Sequence, residues 1–437
     1  MATTAAPAPS RNPFAVLAQH PDYRTFWTGQ TLSLVGTWMQ TMAIGWLSLE
    51  LSGSAFIVGL VASAGAVPIV LLSMHAGALV DRSDRLRLVR RTQSVLLVQA
   101  VVLWAVTLAG YMTVPLLLAL AVVQGVCSAI EIPARQSLII QLVGRDDLQA
   151  AIALNSSGFN LARIVGPALG GLVIHQAGIA WCFGLNASSF VAVLWGLFRI
   201  GTRDTPATAR FTSLGAALRE STASARDGLR YLNQPGAARD LLSIVVVGAI
   251  FGGPFIALLP VMARDQLRLG AGGYGGLLAS LGIGGLLGAL AVAGPAGRWH
   301  RGRTLTTSSL AFPLLLLAVA WVTDARLANA VLLLTGTAMI MFNALSNGTL
   351  QLLVAESYRG RLMAFYSLVF VGLSQAVGAL AMGAVARAVG VAWAVTGCAV
   401  VTLGFSGWMA WRSAVRHIGG TASAARFGRV ASGEGPA

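Results

Sequence analysis

Lysine is absent from this 437-residue chain: all 30 basic residues are arginine. That absence excludes a phosphate-binding loop of the Gly-Lys-Ser/Thr kind, and with it an ATP-driven engine built on one. It equally excludes Schiff-base chemistry on a lysine amine. Charge of either sign is scarce, at 10% of residues, where soluble domains carry about 25%. Cysteines number three (Cys127, Cys182, Cys398), far apart and within apolar runs, so neither a disulfide framework nor a zinc site is implied. The five histidines are scattered without ligand spacing, so no metal site is expected. Nowhere do paired acids, or a Ser/His/Asp set, occur at membrane depth, which argues against an enzyme.

What is present in quantity is apolar sequence, 56% of residues with a mean hydropathy of +0.74. One or two water-soluble cores cannot hide that much apolar surface. A soluble enzyme, a disordered scaffold and a nucleic-acid-binding protein are therefore excluded, and a polytopic membrane protein remains. The net charge of +15 does not restore a nucleic-acid reading, because no basic stripe interleaves with stacking aromatics. Residues 1–10 lack the charged and apolar segments of a cleavable signal, so insertion is expected to rely on the first span.

A helix needs about 20 apolar residues to cross the hydrocarbon. That window predicts twelve spans, at 26–51, 56–80, 92–111, 114–134, 150–176, 181–200, 239–262, 273–295, 305–323, 327–347, 362–387 and 392–412. The expected organisation is an N-terminal segment 1–25, a six-helix bundle 26–200, a linker 201–238, a second bundle 239–412 and a tail 413–437. An even count puts both termini on one side. Twenty-five of the arginines fall on that side, against Arg264, Arg268, Arg326 and Arg387 on the other, which predicts cytoplasmic termini. In the linker, Leu214, Leu218, Leu229 and Leu232 repeat at near-helical spacing among charges, the pattern of an amphipathic helix lying along the membrane face, with a flexible charged linker the alternative.

The second half echoes the first. Gly166, Gly171, Gly178 and Trp181 recur as Gly378, Gly383, Gly390 and Trp393, each 212 residues later. Six spans per copy keeps the orientation the same, so the expected fold is an all-α membrane protein of two parallel six-helix repeats. Such repeats place a transport site between the halves near the bilayer midplane.

Several stretches carry chemistry. Between spans two and three the chain reads Gly77-Ala-Leu79-Val-Asp81-Arg82-Ser-Asp84-Arg85-Leu86-Arg87. Span five holds Ala162-Arg163-Ile-Val-Gly166-Pro167-Ala-Leu-Gly170-Gly171, where the glycines allow close backbone approach and Pro167 removes a hydrogen bond. Arg163 lies roughly 20 Å into that span, and an intramembrane charge is a functional candidate by default. It either meets anionic substrate groups or a coupling carboxylate, or is satisfied structurally by carbonyls. Glu131 is the one acid well inside a span. A desolvated carboxylate can carry protons, and a helical ion pair with Arg135 is the competing reading. Gln40, Gln124, Asn155, Asn160, Asn343, Asn347 and Gln375, with Trp38, Trp46 and Phe159, could as a set line a cavity for amphipathic ligands, with helix–helix hydrogen bonding the competing reading for any single member.

These motifs resemble those of the major facilitator superfamily. The Asp81 loop is similar to its motif A, with Asp84 where Gly is usual and Leu86 where Arg or Lys is usual. The Asp-Arg-x-Asp-Arg form, with Gly36-Thr-Trp38-Met-Gln40 and Pro133-Ala-Arg135-Gln136, resembles the enterobactin-exporter and macrolide-efflux branch. The span-five stretch is similar to motif C, the antiporter mark. Gln124-Gly125 resembles motif B, but Ala121 stands where its arginine is usual. The resemblance implies that Gly77, Asp81, Arg82, Asp84 and Arg85 form a cytoplasmic gate, with Asp81 and Arg85 latching it near Arg361-Leu362. It implies a secondary-active exporter of small amphipathic molecules (siderophore, drug or metabolite), working by alternating access in exchange for protons. The proton gradient would be its energy source, with no cofactor. The expected setting is a bacterial cytoplasmic (inner) membrane, the expected partners a small-molecule substrate and the bilayer, and the expected state a monomer. An uptake permease, a lysophospholipid flippase of the same fold and a non-transporting receptor are the alternatives.

Overall fold

Hydrocarbon offers no water to a backbone N–H or C=O, so long apolar runs must satisfy their own backbone, in helices or in a closed barrel. The computed structural model describes residues 14–201, 236–294, 300–354, 362, 365–366 and 368–412, with side-chain surroundings for all of these except 73–75, 78, 81–82, 368 and 370–371. Every regular element among the described residues is helical. After a short helix Ala15–Gln19 come α1 (Pro21–Ser52), α2 (Ala55–Arg82), α3 (Arg85–Leu108), α4 (Val114–Val143), α5 (Leu148–Ala177) and α6 (Ile179–Arg199). The second repeat supplies α7 (Ala237–Gln266), α8 (Ala271–Ala293), α9 (Arg301–Trp321), α10 (Ala325–Leu353), α11 (Leu368–Gly378 continued by Ala379–Val389) and α12 (Val391–Trp411). The predicted amphipathic linker helix and the tail lie outside the described residues.

Eleven of these helices are long and apolar enough to span a membrane. The exception is α1, whose 32 residues suffice in length but are interrupted by polar side chains, among them the buried Gln30, Ser33, Gln40 and Ser48. Several helices outrun their predicted spans at the arginine-rich end, and α3 begins at Arg85, seven residues before its span. α4 continues through Pro133 to Val143, and α10 continues past Asn347 to Leu353. Hydropathy marks only the hydrocarbon, whereas the helix stops where its hydrogen bonds stop. For α4 that is Gly144, whose N–H still donates to Ile140.

Two compact units emerge among the described residues, one of 14–47 with 68–201 and one of 48–67 with those from 236 onward. The first has a core at its arginine-rich end, around Tyr23, Phe26, Val89, Leu138, Phe190 and Leu197. The second is centred on Leu241, Leu305, Phe342, Leu350 and Met409. Within the second unit, 55–67 of α2 lies against α11: Ser63 Oγ donates to the Ala376 carbonyl, and Gly59 and Gly383 lie in contact where neither leaves room for a side chain. Large apolar side chains such as Leu71, Val98, Leu172, Leu290 and Leu314 face outward, as a lipid-covered surface requires.

The repeat is visible in the backbone. α5 passes to α6, and α11 to α12, through one glycine each, Gly178 at φ 92° and Gly390 at φ 90°. Only glycine occupies that region without strain. The tryptophan three residues later packs on a tryptophan of the third helix of its own repeat. Trp181 meets Trp104 at 5.7 Å, and Trp393 meets Trp321 at 5.0 Å.

Candidate functional site

Small residues recur at every fourth position of α5, Gly158, Ala162, Gly166 and Gly170, and all four are buried. This stripe is laid along α1. A Cβ on Gly166 would lie 2.6 Å from Trp38 Cβ and 2.7 Å from the Val35 carbonyl oxygen, and one on Gly170 would lie 3.1 Å from both Met39 and Met42. Small side chains let helices approach in a membrane, where packing rather than water drives association. Here the approach has a specific consequence, because it brings Trp38 of α1 over the face of α5 that carries Arg163.

Arg163 sits near the middle of the 30-residue α5. Its guanidinium carbon lies 5.8 Å from the centre of the Trp38 ring. Phe159, one turn earlier, meets the same ring edge-on at 5.7 Å and is 40% exposed. Asn155, Phe159 and Arg163 follow at four-residue spacing and share a stripe. No carboxylate among the described residues pairs with Arg163, and no hydrogen bond reaches it from them. An arginine at the centre of a spanning helix costs about 3 kcal/mol on insertion scales, and a cation–π contact returns about 0.5–2 kcal/mol. The tryptophan alone does not offset the charge.

Beside this cluster, but neutral, is a knot of amides. Gln40 Nε2 donates to Gln99 Oε1 at 3.1 Å and Gln124 Oε1 at 3.3 Å, while Gln40 Oε1 accepts from Asn186 Nδ2 at 2.8 Å. Ser189 Oγ donates to Asn186 Oδ1 at 3.1 Å. Gln40, Gln99 and Asn186 are buried, so the amides tie α1, α3, α4 and α6 together. Gln40 and Gln124 are among the predicted cavity residues and Gln99 and Asn186 are not, although a polar residue inside an apolar run marks all four. Trp46 is also buried on α1. Asn160 turns back on its own helix, donating to the Ser156 carbonyl at 2.9 Å.

Glu131 forms a second charged cluster in the same unit. Its Oε1 lies 3.5 Å from Arg135 Nε and accepts from Gln93 Nε2 at 3.3 Å. All three side chains are buried. The ion pair is close enough to attract, yet Arg135 Nε makes no hydrogen bond and Gln93 Oε1 has no partner. The carboxylate is thus paired, but its surroundings are not saturated.

At the arginine-rich end, Asp84 caps α3: its side chain accepts from the Arg87 N–H at 3.0 Å and pairs with Arg87 Nε at 3.0 Å. Arg85 opens that helix, and Gly77 lies in α2 with open space around it. The side chains of Asp81 and Arg82, and residue 361, lie outside the description, so the proposed latch does too. Arg90, which the charge count treated only as an anchor, donates to the carbonyls of Leu197 (2.7 Å) and Ile200 (2.9 Å) at the end of α6. Such a cation favours a helix C-terminus. His20 Nε2 lies 2.9 Å from Asp147 Oδ2, joining the start of α1 to the loop before α5.

In the second unit Asn343 and Asn347 lie on one face of α10. The Asn343 carbonyl accepts from Tyr366 Oη at 3.3 Å, and Asn347 Oδ1 accepts from Gln351 Nε2 at 2.6 Å. Gln375 lies in α11, within a π-helical stretch Leu368–Gly378 that packs on a second π-helical stretch, Gly248–Gly252 of α7. Gly378 meets the Ile250 carbonyl and Pro254, as Gly166 meets Val35 and Trp38. Gln375 stands three residues before Gly378, as Arg163 stands three before Gly166. No cluster of metal-ligating side chains occurs among the described residues.

Comparison with known proteins places this geometry. A family described as transmembrane secretion effector matches residues 11–428. The staphyloferrin A transporter of Staphylococcus aureus is 30% identical over 34% of this chain and 38% of its own length. Macrolide efflux protein A of Streptococcus pyogenes is 25% identical over 56% of this chain and 59% of its own. An enterobactin exporter of Salmonella choleraesuis is 24% identical over 48% and 51%. The matched stretches thus span between about two fifths and three fifths of these relatives. Among solved structures, a bacterial homologue of the human lysosomal transporter Spinster superposes with a TM-score of 0.69 at 13% identity, over 91% of this chain and 98% of that one. The nucleoside transporter NupG gives 0.66 at 14%, over 92% and 98%. At such identities the likeness is one of fold.

Proposed function

We propose that this chain, which belongs to the transmembrane secretion effector family of the major facilitator superfamily, exports small amphipathic molecules by alternating access, in exchange for protons. The observation that carries the reading is the small-residue seam of α5 on α1. It runs beneath a half-buried intramembrane cation and two aromatic rings, at the segment that resembles the antiporter motif. Relatives named for efflux and export support the direction. Glu131 is the proton carrier of this reading, as an intramembrane acid that is buried, paired at 3.5 Å with Arg135 and next to the unsatisfied Gln93 oxygen. Asp81 and Arg85 latch the gate at the arginine-rich end. That end faces the cytoplasm of a bacterial inner membrane, as the arginine asymmetry favours. The protein works as a monomer without a cofactor.

Everted membrane vesicles carrying the protein, with an imposed pH gradient and a panel of acidic, neutral and basic amphipathic tracers, test the reading. Accumulation of a tracer that collapses with the gradient is the expected result. Tracer entry into right-side-out vesicles instead would make it an uptake system, and no protein-dependent flux in either would overturn transport by this chain.

A further inference from the structure

We infer that Arg163, flanked by Trp38 and Phe159, recognises a carboxylate on a flat apolar body, so that the molecules this protein carries are amphipathic organic acids. The inference rests on the transport reading above and gives it a substrate class.

Three observations converge. Arg163 is half-buried near the middle of a spanning helix, and no anion among the described residues pairs with it. The intramembrane acid of the same unit, Glu131, is held by Arg135 and Gln93 and does not supply the missing charge. The positive charge is also not required by the helix packing around it. The second repeat builds the same contact, a glycine of α11 against α7, and carries the neutral Gln375 in the corresponding place. A charge the scaffold does not need, left without a counter-charge by the described residues, is one that a ligand completes.

The flanking rings narrow the ligand. Phe159 presents 40% of its surface, and Trp38 is half-buried, with its ring in edge contact with Phe159 and its centre 5.8 Å from the guanidinium. A planar guanidinium presents parallel N–H donors that match a carboxylate's two oxygens. The adjoining rings offer an apolar surface with stacking geometry to whatever carries that carboxylate. A cationic ligand would be repelled here, and a neutral one would leave the arginine as it is now, uncompensated.

The test uses purified full-length protein in detergent, with 2-naphthoate, 2-naphthamide and 2-naphthylmethylammonium as probes, followed by the same probes in everted vesicles. The native protein is expected to bind naphthoate about tenfold or more tightly than naphthamide, the worth of one charge-assisted contact, and the ammonium least. Arg163→Gln, which copies the second repeat, should erase the acid-over-amide preference while leaving the melting temperature close to native. Arg163→Lys should retain part of the preference, and Trp38→Ala should weaken acid and amide alike. Failure of naphthoate to bind, equal affinity for acid and amide in the native protein, or a preference that survives Arg163→Gln overturns the inference. The first two arms need no variant to fold. Preferential binding without any vesicle accumulation would leave the anion site standing and overturn the exporter reading instead.

Discussion

The two six-helix repeats share their joints and differ in what the joints carry. In each, a glycine of the fifth helix presses on the first, Gly166 on α1 and Gly378 on α7, and a positive-φ glycine turns the fifth helix into the sixth. In each, a tryptophan then packs on the third helix. Around these joints the first repeat is α-helical and chemically loaded, with Arg163, the Glu131–Arg135 pair and the amide knot of Gln40. The second repeat has no charged residue in α10 after Arg326, and it places π-helical turns where α7 and α11 meet. π turns are rare and tend to mark functional segments. On the reading proposed above, ligand and proton chemistry belong to the first repeat, and the π-helical joint is what sets the second apart. Shared features are scaffold, and unshared ones are candidates for function.

The largest effect expected to break this comparison comes from the charge pair that α10 lacks. Arg135→Leu leaves Glu131 as a buried, unpaired acid and should cost about 3–5 kcal/mol, read as a lowered melting temperature in detergent. Adding Glu131→Gln should recover much of it, and a single variant as stable as native protein would mean the pair is inert. Next is the joint itself. Gly166→Val drives a side chain into Trp38 and Val35, and about 1–3 kcal/mol of overpacking should accompany loss of vesicle transport. Retained transport would show that the seam does not matter.

Gln40→Leu sharpens the contrast between a chemical and an apolar repeat. It strands the oxygens of Gln99 and Gln124 and the Asn186 N–H, at about 1–3 kcal/mol. A thermal shift near zero would argue that water already serves those amides. The smallest effect is local: Asp84→Ala removes the cap of α3 at about 1 kcal/mol. Because Asp84 takes the place of the usual motif glycine, a large loss of transport with little loss of stability would return it from cap to gate.

Much of this was legible in the amino-acid order. Eleven spans appear where hydropathy puts them, and the twelfth, α1, is the least apolar because it holds Gln30, Ser33, Gln40 and Ser48 for the interior. The glycines of span five foretold close helix contact at α5, and Gly178 was legible only as a repeated position. Their spacing did not name the partner, since a glycine announces that something comes near and not what. Gln99 and Asn186 were passed over because each looks like an isolated polar residue until Gln40 is placed between them. Arg90 reads in sequence as one more topology anchor, and its bonds to α6 depend on a helix end more than a hundred residues away in the chain.

Composition and periodicity determined the solvent, the number of crossings, the repeat and the asymmetry of arginine, because each is a property of residues near one another in sequence, summed against lipid or water. Only the tertiary structure decided which charges are spoken for. Glu131 and Arg135 lie one helical turn apart and answer each other. Arg163 finds a tryptophan from α1 and no carboxylate among the described residues, because helix packing is set by where small residues let backbones meet, and it was the Gly158–Gly170 stripe that chose its neighbour.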